Sequence, residues 1–308
     1  MCGADAHVTR WEALQQDECV TKPLKILIAE SEPPEARDKR RASVGRSSGE
    51  TYQAVLRHIA PTAELTRITP ADAAVDRPSL DALESADAIF LTGSPLHLYD
   101  DTPEGRRVVE FMRAVFDSGT PAFGSCAGLQ VATVAAGGSV RPMEPRREAG
   151  FARRLHSTSA GGGHPLLDGR PPVFDAPAIH TDEVSCLPDG SVSLCTNATT
   201  SVQAAEIRCG KGVFWGVQYH PEISLFEVAA ALRRQSDDLV EHGLAADEAA
   251  VAAHASLIEA LGKAPDRLDL AWRLGVDGEI TVPERRTREI RNFVERLVLP
   301  TRSQRGRA

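Results

Sequence analysis

The chain has 308 residues, 42% hydrophobic and 25% charged, with a formal net charge of −8 at pH 7. Length and composition suit a soluble globular protein, either one large domain or a domain with an appendage. The acidic balance argues against a general nucleic-acid binder, which needs a concentrated basic surface. No 18-residue apolar run offers a membrane span, and no secretory pattern opens the chain, so a cytoplasmic location is expected. The six cysteines form no CxxC pair and have no histidine at a metal-finger spacing. Neither a disulfide framework nor a metal site is therefore expected.

Residues 1–22 read as a polar N-terminal arm. Its "MCG" start would expose Cys2 as an N-terminal nucleophile after loss of Met1. The polar, weakly helical residues that follow have no strand signal to pack such a group into a sheet. Next, "LKILIAE" (Leu24 to Glu30) is a continuous apolar run, as in a strand buried on both faces. "SEPPEARDKRRASVGRSSGE" reads as a long polar connection, and its basic run as a solvated face. Thr51 to Ile59 carries Tyr52, Val55, Leu56 and Ile59 on one helical face. "ELTRITP" is a strand, "SLDALES" a short helix, and Ala88 to Thr92 a further strand. "EGRRVVEFMRAVFDSG" is an amphipathic helix closed by Gly119. "PAFGSC" reads as strand and turn, and "AGLQVATVAAGG" as helix and cap. This βαβα alternation predicts an α/β fold with a parallel central sheet.

From about Gly150 short strands and turns take over, with "SAGGGHP" a flexible loop and "CGKG" a hairpin turn. "CGKG" is not a phosphate loop, because the P-loop glycine spacing and Lys-Ser/Thr end are missing. Beyond Ser224 the pattern is helical. Leu225, Val228, Ala229, Leu232, Leu239 and Val240 make one stripe, an Ala-rich helix closes at Gly262, and Ile290, Phe293, Val294 and Leu297 make another. Residues 225–308 are thus expected to be a helical extension packed on a domain spanning residues 23–224. The arginines between Arg285 and Arg307 read as a solvated face or tail.

In "GSCAG", Cys126 sits between Gly124 and Gly128 where a strand turns into a helix. It is either a small buried hydrophobe at a turn or a nucleophile held out on an elbow, G-x-C-x-G. The elbow would lift the thiol clear of the sheet at a helix N-terminus, which favours thiolate, and would aim the Ala127 N–H at a developing oxyanion. A nucleophile needs a base. "FWGVQYHPE" delivers His220 at the end of a strand, with Glu222 two residues on and on the same side of extended chain, able to orient the imidazole.

In these motifs the sequence resembles the class I (triad) glutamine amidotransferases, and most closely the glutaminase domain of GMP synthase and its stand-alone bacterial homologues. "GSCAGLQ", "GVQYHPE", "FLTGSP", "REAG" and "IHTDEV" fall in the family's order between about Leu24 and Glu222. The resemblance implies a flavodoxin-like, doubly wound, mostly parallel sheet. It implies Cys126 as nucleophile, His220 as general base and acid, Glu222 as its orienter, and the N–H groups of Ser94 and Ala127 as oxyanion hole. Gly93, Gln130, Thr181 and Asp182 would bind substrate. Two positions depart from the family pattern. Ser94 stands where glycine is usual, and Thr181 stands where the GMP synthase domain has glycine.

The implied reaction is attack of Cys126 on the γ-carboxamide of glutamine, loss of ammonia, and hydrolysis of a γ-glutamyl thioester, with no metal or organic cofactor. The substrate is a small molecule, glutamine or a γ-glutamyl amide. No nucleotide-binding loop is present to activate an ammonia acceptor, so an ammonia-supplying glutaminase would need a separate synthetase subunit. Two other readings stand beside it. One is a γ-glutamyl hydrolase acting on a γ-glutamyl amine or peptide, which Thr181 and the long segment after Glu30 keep open. The other is a non-catalytic regulatory or binding module, against which the intact Cys126, His220 and Glu222 argue.

Overall fold

The computed structural model describes residues 22–144 and 147–307. The N-terminal arm, with Cys2, lies outside the described residues. The first half alternates as the sequence predicts: β1 (Lys25–Ala29), α1 (Pro34–Val44), α2 (Ser48–Ile59), β2 (Glu64–Ile68), α3 (Leu80–Ser85), β3 (Ala88–Leu91), α4 (Pro103–Ser118), β4 (Ala122–Ser125) and α5 (Ala127–Ala135). Helix ends follow the local chemistry. Ser47 and Glu50 form a reciprocal capping box on α2. Thr102 caps α4, Pro103 opens it, and Gly119 closes it in the left-handed region at φ 66°.

The remaining strands are β5 (Ser139–Pro142), β6 (Glu148–Ser157), β7 (Val173–His180), β8 (Asp182–Cys186), β9 (Val192–Thr196), β10 (Ala204–Cys209) and β11 (Gly212–Val217). One nine-stranded sheet has the order β2-β1-β3-β4-β11-β10-β9-β6-β7, with β5 and β8 paired apart from it. The pairs from β2 through β11 are parallel, and those from β11 to β7 are antiparallel. The "CGKG" turn closes the β10–β11 hairpin, with Cys209 opposite Gly212. "SAGGGHP" is packed rather than loose: Gly161 N–H donates to Thr158 Oγ1 (2.9 Å), and Gly161 sits too close to the Leu194 carbonyl for a Cβ.

Period-two alternation sends the strand side chains to two cores. On one face Phe90, Phe123, Trp215 and Tyr219 pack with Tyr52 of α2. On the other, Ile89, Leu91, Leu129 and Phe214 pack with Phe111 and Met112 of α4.

Residues expected to form a polar connection instead make α1. Pro34 opens it and Gly45, at φ 82°, closes it. Only Arg37 and Val44 are buried, so no apolar stripe marks the helix in sequence. Ion pairs hold it instead, Arg37 to Asp72 (2.6 Å) and Arg40 to Glu227 (3.0 Å). Part of the basic run is therefore enclosed, not solvated.

The C-terminal helices are α6 (Leu225–Arg234), α7 (Ser236–Glu241), α8 (Glu248–Lys263), α9 (Leu268–Leu274), α10 (Gly278–Thr281), α11 (Pro283–Arg286), α12 (Arg288–Phe293) and α13 (Leu299–Gln304). The predicted stripe of α6 and α7 packs with Phe151 of β6 and the buried face of α8. Helix α8 continues through Gly262, which lies against Leu225 instead of ending the helix. Ile290, Phe293, Val294 and Val298 join the sheet's own core. Of the arginines expected as a solvated face or tail, Arg285 and Arg296 are exposed, whereas Arg302, in α13, is buried.

Candidate active site

Three adjacent parallel strands, β3, β4 and β11, end at one edge of the sheet, as do ligand-binding strands of open α/β sheets generally. Their registers bring Leu91 opposite Gly124 and Ser125 opposite Val217. The residues just beyond the strands, Gly93 and Ser94, Cys126, and His220, consequently line one cleft. Cys126 N–H donates to Val217 O (2.8 Å), and His220 N–H to Pro177 O (2.7 Å), so both turns are fixed by backbone bonds.

The elbow is strained as the motif requires. Cys126 has φ 54° and ψ −113°, outside the regions that side-chain-bearing residues favour. The flanking glycines make this possible. A Cβ on Gly128 would lie 2.8 Å from the Leu91 carbonyl oxygen, and one on Gly124 would lie 3.0 Å from the Gly128 backbone. Ala127 is the first residue of α5, so its N–H has no intrahelical acceptor and stays available beside the thiol. A Cβ on Gly93 would meet His220 Cε1 at 2.9 Å and Cys126 Cβ at 3.7 Å, which places the β3 loop against both side chains.

His220 Nδ1 bonds Glu222 Oε1 at 2.6 Å. Burial weighs against the imidazolium, but the Glu222 carboxylate and then the Cys126 sulfur oppose it, and the His220 pKa is pushed up to about 10. Glu222 has further support that sequence reasoning missed. Ser125 Oγ–H donates to the same Oε1 (2.9 Å), and Tyr52 O–H donates to Ser125 Oγ (2.7 Å), all of it buried. The only signals were a serine at the variable position before Cys126 and a tyrosine in a helical stripe. Arg286, from the C-terminal helices, shares a pocket wall with Glu222 and feels its charge.

The other predicted residues lie on a second side. Gln130 is buried, and its Nε2 donates to Asp182 O (3.1 Å) and Gln218 Oε1 (3.3 Å). Asp182 is clamped by His97 (2.7 Å) and by Tyr99 O–H (3.1 Å) from the loop after β3. Thr181 Oγ1 reaches Asp182 Oδ1 at 3.3 Å. "REAG" and "IHTDEV" meet where Glu148 pairs with His180 (2.8 Å). None of Gln130, Thr181 and Asp182 lines the cleft that holds the thiol.

No group of three or more His, Cys, Asp or Glu side chains that could hold a metal occurs among the described residues. Nor is any helix among them long and apolar enough to cross a membrane.

Comparison with known proteins matches residues 49–236 to the family described as glutamine amidotransferase class-I. The chain belongs to that family. It is 36% identical over 284 residues to a gamma-glutamyl-L-1-hydroxyisopropylamide hydrolase of a Pseudomonas species, covering 90% of this chain and 94% of that one. It is 33% identical over 165 residues to the GMP synthase of Leifsonia xyli, covering 54% of this chain and 30% of the synthase. The chain thus spans under a third of that GMP synthase. Among solved structures, a glutamine amidotransferase from Thermotoga maritima superposes with TM-score 0.59 at 17% identity, covering 89% of this chain and 98% of that one. At that identity the likeness speaks for the fold, which is the amidotransferase α/β fold that the motifs predicted.

Proposed function

We propose that this member of the family is a cytoplasmic hydrolase of γ-glutamyl amides of small amines. The chemistry rests on one juxtaposition: a thiol on a strained elbow beside an imidazole that a buried carboxylate orients. The choice of amide rests on the likeness to a γ-glutamyl amide hydrolase across nearly the whole of both chains, where the GMP synthase match stops at about half of this one.

The Cys126 thiolate attacks the γ-carbonyl carbon. The N–H groups of Ser94 and Ala127 hold the oxyanion, and the substrate's glutamyl end lies against Gly93, with Gln130, Thr181 and Asp182 behind the cleft wall rather than in it. As the C–N bond breaks, imidazolium His220 gives its proton to the departing amine, which leaves a γ-glutamyl thioester. His220 then takes a proton from water as that water attacks. The C–S bond breaks, the thiolate leaves beside the imidazolium that holds the water's first proton, and glutamate departs as its carboxylate with the second proton lost to solvent. Glu222 keeps the ring aimed and favours its charged form throughout.

A second reading, glutamine hydrolysis supplying ammonia to a separate synthetase, draws on the GMP synthase match. Glutamate release by the purified chain from glutamine and from a panel of γ-glutamyl amines, with Cys126→Ala as control, separates the two. The hydrolase reading expects an amine amide to exceed glutamine in kcat/KM by at least ~10-fold, with loss of both activities in the variant. A preference for glutamine would install the second reading, and activity that survives Cys126→Ala would remove both.

A further inference from the structure

The cleft above the thiol extends well past it, to about 330 Å³. A fourth strand ending at the same edge contributes here. The chain leaving β1 carries Glu32 into the cleft, α1 adds Arg40 and α6 adds Glu227. All three charges are largely enclosed: Glu32 is 6% exposed, Glu227 is 4% exposed, and the Arg40 side chain is 13% exposed. None belongs to the Cys126–His220–Glu222 group.

Their hydrogen bonds show which capacity is spent. Glu227 Oε1 accepts from Arg40 Nη2 (3.0 Å) and Thr51 Oγ1 (2.5 Å), while its Oε2 caps Ser224 (2.8 Å). Glu227 is therefore committed to tying α1 and α2 to α6. Glu32 Oε2 accepts the Ser48 N–H (3.2 Å) at the start of α2. Burial pushes its carboxyl above the ordinary range, against the pull of Arg40 and Ser48. Arg40 Nε is fully enclosed with no hydrogen-bond partner, a costly arrangement, while the Arg40 side chain itself lines the cleft.

We propose that Glu32 and Arg40 form a subsite for the amine half of the substrate, and that they read a neutral hydroxyl on a short aliphatic amine. The inference rests on the γ-glutamyl amide reading above. A neutral hydroxyl can accept from the Arg40 guanidinium and donate to Glu32 together, which a carboxylate, an ammonium or an alkyl group cannot. A carboxylate on the amine would face Glu32 and Glu227, and an ammonium would face Arg40, with Lys39 and Arg234 at the rim. A plain alkyl amine would leave both polar groups desolvated and unpaired. The rest of the wall is Ala36, Pro95, Ile179, Ile223 and Ala231, which suits a small aliphatic skeleton. On this reading α1 is the element that adapts the cleft from ammonia to an amino alcohol.

The test compares four probes on the full-length protein: glutamine and the γ-glutamyl amides of 2-aminopropan-1-ol, isopropylamine and alanine. The first two amines share a skeleton and differ by the hydroxyl alone, while alanine puts a carboxylate in its place. We expect kcat/KM for the hydroxylated amide to exceed that for its deoxy isostere by ~100-fold or more. Glu32→Gln should cut that ratio at least ~10-fold, and Arg40→Gln should do the same, each checked for folding by thermal unfolding. Equal rates for the hydroxylated and deoxy amides, or a preference for the alanine amide, would overturn the subsite while leaving γ-glutamyl amide hydrolysis intact. Turnover of glutamine alone would instead remove the reading beneath it. A folded Glu32→Gln protein with an unchanged ratio would take the role away from Glu32. If both variants fail to fold, the wild-type ratio alone decides.

Discussion

At the residue scale the site is a proton-holding device built around Glu222 Oε1, which receives two donors, His220 Nδ1 at 2.6 Å and Ser125 Oγ at 2.9 Å. Ser125→Ala removes one of them and leaves the buried Tyr52 hydroxyl without its acceptor. We expect about 1–3 kcal/mol of lost stability in chemical denaturation and a fall in kcat of ~10-fold with KM nearly unchanged, because only the ring's orientation is disturbed. Tyr52→Phe keeps the Ser125–Glu222 bond and should cost less in kcat. If it costs as much, the serine is not the positioning group. The His220 shift gives a second prediction. Its pKa stands near 10, above the ordinary imidazole value, so the charged ring's stabilising contribution is fully present below about 6.5 and is lost as pH rises through 10. In the proposed mechanism the imidazolium is also the proton donor to the leaving amine. The kcat/KM profile should therefore hold through pH 9 and fall on an alkaline limb near 10. Glu222→Gln removes the main upward push and should bring that limb down toward neutrality. An alkaline limb that stays put in the variant would contradict the assignment.

At the element scale, what could be read from sequence was whatever repeats at a fixed spacing. The elbow glycines flank Cys126 at fixed offsets, and Glu222 follows His220 at i+2, so local geometry alone brings them to their task. Helix α1 was hidden because a helix held by Arg37–Asp72 and Arg40–Glu227 has no apolar period, and its partners lie far along the chain. Tyr52 was legible as a buried helix residue, but a stripe tells which face is inside and not what a side-chain tip touches. The same limit applied to Arg170, on the segment before β7. It forks onto Glu289 through Nε and Nη2 (2.7 Å each) and reaches Glu279 (2.7 Å), while Tyr219 O–H donates to the same Glu289 (2.8 Å). This buried knot ties α10 and α12 to Tyr219, just beyond β11. Arg170→Met strips two enclosed carboxylates of their partner and should cost about 3–5 kcal/mol, read as a shift in urea midpoint. Arg296→Met, which breaks an exposed pair with Asp168, should cost under about 1 kcal/mol. Equal shifts would mean that the knot carries no special weight.

At the scale of the whole molecule, the C-terminal helices bear on the Cys126 elbow through the core. Phe293 packs edge-on to Phe90 (centroids 5.2 Å apart) and against Phe123 (5.5 Å) and Trp215 (6.2 Å). Those rings lie on β3, β4 and β11, the strands whose ends hold Gly93, Cys126 and His220. A sequence stripe predicted that Phe293 is buried, but only the fold shows that it is buried under the active-site strands and not against its own helical neighbours. The strained φ at Cys126 persists only while its surroundings over-determine it, so loosening this layer should relax the elbow as well as the fold. Phe293→Ala should cost about 3–5 kcal/mol. Denaturant curves followed by tryptophan fluorescence and by alkylation of Cys126 should then move together, as one transition at a lower midpoint. Curves that separate, with the helices melting first and Cys126 still alkylated at its native rate, would show that the C-terminal helices fold as a unit of their own and leave the elbow to the sheet.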